Sequence, residues 1–145
     1  MLGMLKKYTI ELCPEVNGKI SNNGTPIENL LIERSLTYAD EEYLDNCITN
    51  ANGEFSFEAR SIKSRLPGNI LHEPVVRQVI EFTMDDNNSE IYIWATNQHD
   101  ITCPAICKSH LSNLISDIRN EEEVFELINL EAPEYPLIVR SNCSL

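Results

Sequence analysis

Short apolar segments with a period of two, each cut off by Pro, Gly or Asn, recur along most of the chain, and this pattern restricts the fold more than any other feature. Lys7-Tyr8-Thr9-Ile10-Glu11-Leu12 puts Tyr8, Ile10 and Leu12 on one face of a strand before Pro14 stops it. Val16 to Ser21 is a second extended run, closed by Asn22-Asn23-Gly24, residues that tolerate the positive φ of a tight turn. Leu30 to Leu36 reads as a third strand, apolar enough at its start to be buried on both faces, and expected to pair with the second or lie near it. Cys47 to Phe57 supplies a strand end, an Asn52-Gly53 turn and a strand with Phe55 and Phe57 pointing the same way. Val75–Met84 and Glu90–Ala95 are two further strands around Asp85-Asp86-Asn87-Asn88-Ser89, which has the length and residue types of a hairpin turn. Trp94 is expected to pack in the core.

The remaining segments are less regular. Thr37 to Asn46 has no clean period and reads as an exposed acidic and aromatic loop, or equally as one helical turn. Glu58 to Pro74 reads as a loop of about sixteen residues, longer than connections between strands usually are. Thr102 as cap, Pro104 in the first turn, and Cys107, Leu111, Leu114, Ile115 and Ile118 at helical spacing predict one amphipathic helix near residues 104–118. Glu123 to Ile128 reads as the last strand, and the tail over residues 131–145, with Pro133 and Pro136, is expected to run along the surface. The expected fold is mainly β: an antiparallel sandwich of about seven strands in a single domain spanning residues 1–145.

The 23 acidic residues outnumber the 11 Lys and Arg, a formal net charge of −12. Such a field repels phosphate backbones and anionic lipid, so neither nucleic acid nor membrane is an expected partner, whereas encounter with a basic protein is accelerated. No hydrophobic run reaches the ~20 residues of a membrane span. Met1-Leu2-Gly3-Met4-Leu5-Lys6-Lys7 places its charge after its apolar run, the reverse of a signal peptide, so the expected location is cytoplasmic. Five cysteines (Cys13, Cys47, Cys103, Cys107, Cys143) leave at least one without an internal partner, in keeping with reduced, buried thiols.

Catalytic chemistry finds little footing in the residues. His99, Cys103, Cys107 and His110 fall within twelve residues, but Cys107 sits on the apolar face of the predicted helix while His110 points elsewhere, so no metal site is expected. No base assembles around Cys103. No phosphate-binding glycine loop, metalloprotease helix, nucleophile elbow or calcium loop is present, and the expectation is a protein that is not an enzyme and carries no cofactor. The candidate contact residues are therefore the acidic and aromatic segment Tyr38, Asp40, Glu41, Glu42 and Tyr43, where carboxylates suit a basic target and Tyr supplies area, and the cations Arg60, Lys63 and Arg65 of the long loop.

Gly18-Lys19-Ile20 with Gly24-Thr25-Pro26-Ile27 and Leu30, followed by Thr49-Asn50-Ala51-Asn52-Gly53-Glu54-Phe55-Ser56-Phe57, resembles the signature of transthyretin-like, or carboxypeptidase-regulatory-like, β-sandwich domains. Over nearly its whole length the chain also resembles a family of small bacterial proteins of unassigned function. The matching pieces are Lys6-Lys7-Tyr8, Leu12-Cys13-Pro14-Glu15-Val16, Ser61-Ile62-Lys63-Ser64, Pro67-Gly68 and Arg77-Gln78-Val79-Ile80; the sequence departs from that pattern at Ile115-Ser116-Asp117, where a cysteine is usual. Such proteins look like neighbours of secreted toxins in contact-dependent or type VI bacterial competition. The resemblance implies an immunity protein that binds a cognate toxin or effector and occludes it, as monomer or homodimer; the alternative it leaves is a non-catalytic adaptor of a secretion apparatus.

Overall fold

The computed structural model describes residues 6–84 and 88–145, so Met1–Leu5 and the Asp85–Asn87 part of the expected hairpin turn lie outside the described residues. Among the described residues the chain forms β1 (Tyr8–Cys13), β2 (Val16–Asn22), β3 (Thr25–Pro26), β4 (Leu31–Tyr38), β5 (Glu41–Ile48), β6 (Glu54–Phe57), β7 (Arg60–Ser64), β8 (Val76–Met84), β9 (Ser89–Gln98), helix α1 (Ala105–Leu111), β10 (Leu114–Asp117), β11 (Glu123–Leu127) and β12 (Leu137–Ser141). The expected class holds: mainly β, antiparallel sheets and one helix. Twelve strands replace the expected seven or so, because several irregular segments are strands.

The largest sheet runs in the order β11-β12-β9-β8-β4-β5, all antiparallel. A second is built on β2, which pairs antiparallel with β3 and β6 and parallel with β10; β1 and β7 form a two-stranded third. Alternation decides which side chains turn inward: Ile32, Leu36 and Tyr38 of β4, and Val76, Ile80 and Phe82 of β8, join Ile10, Ile20, Phe57, Trp94, Leu111 and Val139 in one core fed by all three sheets and the helix. Gly18 lies on the central strand β2, opposite both Phe55 and Leu114; a Cβ there would stand 2.3 Å from the Phe55 ring. The Asn52-Gly53 turn forms as expected, with Gly53 at φ +74 and no room for a side chain against the Ile20 carbonyl.

Buried polar groups knit these layers together. The Trp94 indole N–H donates to Gln78 Oε1 at 3.0 Å; Gln78 Nε2 donates to the Leu12 carbonyl at 2.9 Å and Gln98 Nε2 to the Glu11 carbonyl at 3.0 Å, which docks β1 on the large sheet. Arg34, 1% exposed on the inner face of β4, meets Asp45 of β5 through two bonds, Nε to Oδ1 at 2.9 Å and Nη2 to Oδ2 at 2.6 Å. Its third nitrogen reaches the Glu58 carbonyl at 2.9 Å, and the guanidinium lies 4.8 Å from the centre of the Phe57 ring.

Five expectations need correction. The third strand is not buried on both faces: β4 alternates strictly, Leu31 facing out, and it pairs with β5 and β8, not with β2. The acidic segment is neither loop nor helical turn. Ala39 and Asp40, at φ 51 and 65, form a two-residue hairpin and Glu41–Ile48 is a strand, whose period is hidden because both of its faces mix polar and apolar residues. The long loop contains β7, which has a single apolar residue, Ile62, and so no readable period.

The predicted helix spans seven residues, with Pro104 and not Thr102 at its cap. Its expected second half is β10, in which Leu114 and Ser116 turn inward and Ile115 outward, the period of a strand. Finally, the C-terminal tail is no surface strap: β12 lies between β9 and β11, and Asn142 and Cys143 are buried beyond it. Asn142 accepts from Ser116 Oγ at 2.8 Å and donates to the Asp117 carbonyl at 3.2 Å, locking the tail to β10.

Deleting the Asp45 carboxylate strands a guanidinium in the core, so Asp45→Ala should cost about 3 kcal/mol in urea unfolding, while Arg34→Met with Asp45→Leu should cost less than that single change. Asp117 accepts the backbone N–H of Arg119 at 2.9 Å and those of Asn23 and Gly24 at 3.1 Å each, and these bonds hold its carboxyl below the ordinary 3.8. A lowered folded value means stability that is fully present above 3.8 and lost as pH falls through the lowered value. Asp117→Asn should therefore lower stability by about 1 kcal/mol at pH 7 and leave it unchanged near pH 2, measured by thermal melts across that range.

Candidate protein-binding face

One face of the large sheet turns inward to the core, and the cross-strand register maps what the other presents. One row runs Leu44, Ser35, Val79, Ala95, Arg140, Val124 across all six strands. On one side of it lie Glu42, Thr37, Arg77 and Asn97, and on the other Asn46, Glu33, Glu81 and Tyr92. Leu44 is 65% exposed, Ile48 60% and Leu31 44%, so the β4–β5 half carries an apolar patch on rigid backbone.

The charges on this face are segregated. Glu33 and Glu81 stand directly opposite one another, and Glu90 lies two residue pairs further along β8 and β9, on the same face. Partial burial, then the charges of Glu90 and Glu33, raise the Glu81 carboxyl above its ordinary 4.5. No cation relieves this cluster through an ion pair among the described residues. Along the strands the sign reverses: Arg77, four residues before Glu81 on β8, and Arg140 on β12 line a shallow cavity of about 600 Å³ with Tyr92, Ala95, Asn97, His99 and Ile138. Arg140 is 4.0 Å from Glu122, which also receives the Tyr92 backbone N–H at 2.7 Å.

Of the residues singled out from sequence, Asp40 sits at the tip of the hairpin, Glu41 follows it, and Glu42 belongs to the outer face. Tyr43 turns inward at the edge, half-buried, donates to Glu41 at 2.8 Å and carries the Arg60 guanidinium 5.2 Å from its ring centre. Tyr38 is 2% exposed; it faces the core, its hydroxyl 2.7 Å from His72 Nε2, and adds nothing to the contact surface. Lys63 bonds Thr9 across the β1–β7 pair and Arg65 is exposed just after β7, so these two lie apart from the hairpin that Arg60 joins.

Leu31, Leu44, Ile48, Glu33, Glu81 and Arg140 escaped the sequence reading, because a strand shows which residues alternate but not which of its two faces stays bare. The available signal was the Ala39-Asp40 pair eight residues before Ile48, a hairpin spacing with a residue that tolerates positive φ.

The thiols are placed elsewhere. Cys13, Cys103 and Cys107 are buried near α1, and all five cysteines are free. Burial pushes Cys13 up to about 12 and Cys143 up to about 11, while the bond to Cys103 and then burial raise Cys107 further. His99 and His110 lie outside this cluster, and among the described residues no three His, Cys, Asp or Glu are placed to hold a metal ion. Nor is any helix there long and apolar enough to cross a membrane.

The model of a family described as a domain of unknown function (DUF6795) matches residues 16–121. No curated protein and no solved structure matches the chain.

Because Glu81 is raised in the fold, its contribution to stability is complete below 4.5 and is lost as pH climbs through the raised value. Glu81→Gln should therefore stabilise the protein on the order of 0.5 kcal/mol at pH 7 and not at all at pH 4, a difference that calorimetric melts at the two pH values would reveal.

Proposed function

The chain belongs to the DUF6795 family, a domain of unknown function; we propose that it is a non-catalytic protein-binding module, an immunity protein that holds a cognate secreted antibacterial toxin in an occluded complex. The observation that carries this reading is the bare outer face of the large sheet, where Leu31, Leu44 and Ile48 are exposed beside the unrelieved carboxylates Glu33, Glu81 and Glu90. An apolar patch with a charged rim is the anatomy of a protein interface, and about 800 Å² on each partner is enough for a stable complex. The acid cluster stores like-charge repulsion that a cationic surface removes, so the partner that gains most here is basic. The net charge of −12 supports the same choice by drawing such a partner in at long range.

Occlusion asks nothing of the immunity protein but a rigid shape that covers a working surface, and β-sheet backbone provides it. The adaptor reading shares the binding face and differs in consequence: an adaptor gives cells no protection against the toxin.

Co-expression with the protein encoded next to it, followed by size-exclusion chromatography, should give one 1:1 peak at micromolar concentration, weakened at least tenfold by Leu44→Arg with Glu33→Lys. Cells expressing the neighbouring protein should survive only with the intact chain. Two separate peaks for the wild type, or killing without rescue, would overturn the proposal.

A further inference from the structure

We propose that β5 is an open pairing edge that takes up an extended, Lys- or Arg-bearing segment of the partner as a seventh strand of the large sheet, an inference that rests on the reading of the chain as the binder of a basic protein. The register says which backbone groups are available. The two-residue turn at Ala39 and Asp40 makes Tyr38 and Glu41 a hydrogen-bonded pair, and at the far end the Thr49 N–H donates to the Leu30 carbonyl at 3.0 Å, in the same phase. Bonded and non-bonded pairs alternate in an antiparallel ladder, so the N–H and C=O groups of Glu42, Leu44 and Asn46 point away from β4. Among the described residues β5 has β4 as its one strand partner.

Sheet edges are normally blunted by proline, bulges, charged side chains or short length. β5 has neither proline nor bulge, its eight residues keep an unbroken register with β4, and the charges it carries, Glu41, Glu42 and Asp45, are all acidic, which repels other acidic strands but not a basic one. On the inward side Asp45 is matched by Arg34, and Glu41, exposed beside the turn, accepts from Tyr43. Where the strand ends, the edge opens into a cleft of about 400 Å³ between Cys47 and Ile48 on one side and Asn17, Glu54 and Phe55 on the other, so an added strand has room to run on.

Charge selects the occupant. β5 carries Glu41, Glu42 and Asp45 and no cation, so a second copy laid along it would align two acidic strands. A basic strand instead sets a cation against Glu42 while its neighbouring outward side chains cover Leu44 and Ile48. This is strand addition, in which main-chain bonds supply affinity and alternate side chains supply choice.

The probes are three capped octapeptides: alternating Lys and Val, the same peptide with two central residues replaced by Pro, and alternating Glu and Val. The Lys–Val peptide should slow amide exchange at Glu42, Leu44 and Asn46 at least tenfold and bind at least tenfold more tightly than the other two. Leu44→Pro removes an N–H that serves no internal bond, so the variant should fold and lose this binding; Glu42→Lys, which keeps every backbone group, should weaken it.

Equal binding of the proline-interrupted peptide means charge alone is read, and overturns pairing. Concentration-dependent dimerisation of the chain that Leu44→Pro abolishes assigns the edge to a second copy, and overturns the occupant. With the neighbouring gene product, a Leu44→Pro variant that binds as tightly as wild type sinks the edge proposal and leaves the proposed function standing. A wild type that takes up the Lys–Val peptide but not that protein sinks the proposed function instead.

Discussion

A guanidinium buried on the inner face of a sheet is the constraint to which the rest of this structure answers. Arg34 cannot shed its charge, and in the core it is tolerable only because the Asp45 carboxylate, the Glu58 carbonyl and the Phe57 ring surround it. Those partners come from β5, from the segment after β6 and from β6 itself, so one side chain ties the edge of the large sheet to the second sheet. A hydrophobic residue there would hold the layers together with less risk; the ion pair adds a requirement of register, since a one-residue slip of β5 would leave both charges unmatched.

The same economy runs through the other buried polar groups. Gln78, Gln98 and Trp94 join the large sheet to β1, and Asn142 with Ser116 locks the C-terminal segment to β10. Among the described residues no buried side-chain nitrogen or oxygen lacks a partner. Satisfied networks of this kind specify one arrangement of layers. The outer face of the large sheet is consequently presented on a scaffold with little freedom, which suits recognition without rearrangement.

On that face the acidity of the chain becomes local. Glu33, Glu81 and Glu90 are gathered against each other, while Arg77, further along β8 from Glu81, and Arg140 sit around a shallow cavity. The outer face thus changes sign along its strands, and the β5 edge carries the exposed carboxylates Glu41 and Glu42. The buried Arg34–Asp45 pair contributes here too, since it cancels the Asp45 charge and leaves Glu41 and Glu42 as the exposed carboxylates of β5.

Alternation over Tyr8–Leu12, Phe55–Phe57 and Val76–Phe82, with the turns at Asn23-Gly24 and Asn52-Gly53, determined by itself that the chain is mainly β, and most of the core was legible in it. These signals are local: a strand buried on one face must alternate, and a two-residue hairpin must accept positive φ. Tertiary structure alone decided the rest. Leu114–Asp117 continues a helical spacing in sequence but becomes a strand because β2 offers it a parallel edge. Leu137–Ser141 follows two prolines yet fills the gap between β9 and β11. Tyr38, chosen for the surface, is buried, while Leu44 and Ile48 are exposed, because which side of β4 and β5 meets the core depends on the sheets packed against it and on Arg34 finding Asp45. Such contacts join residues distant in the chain, and no window of sequence contains both halves of them.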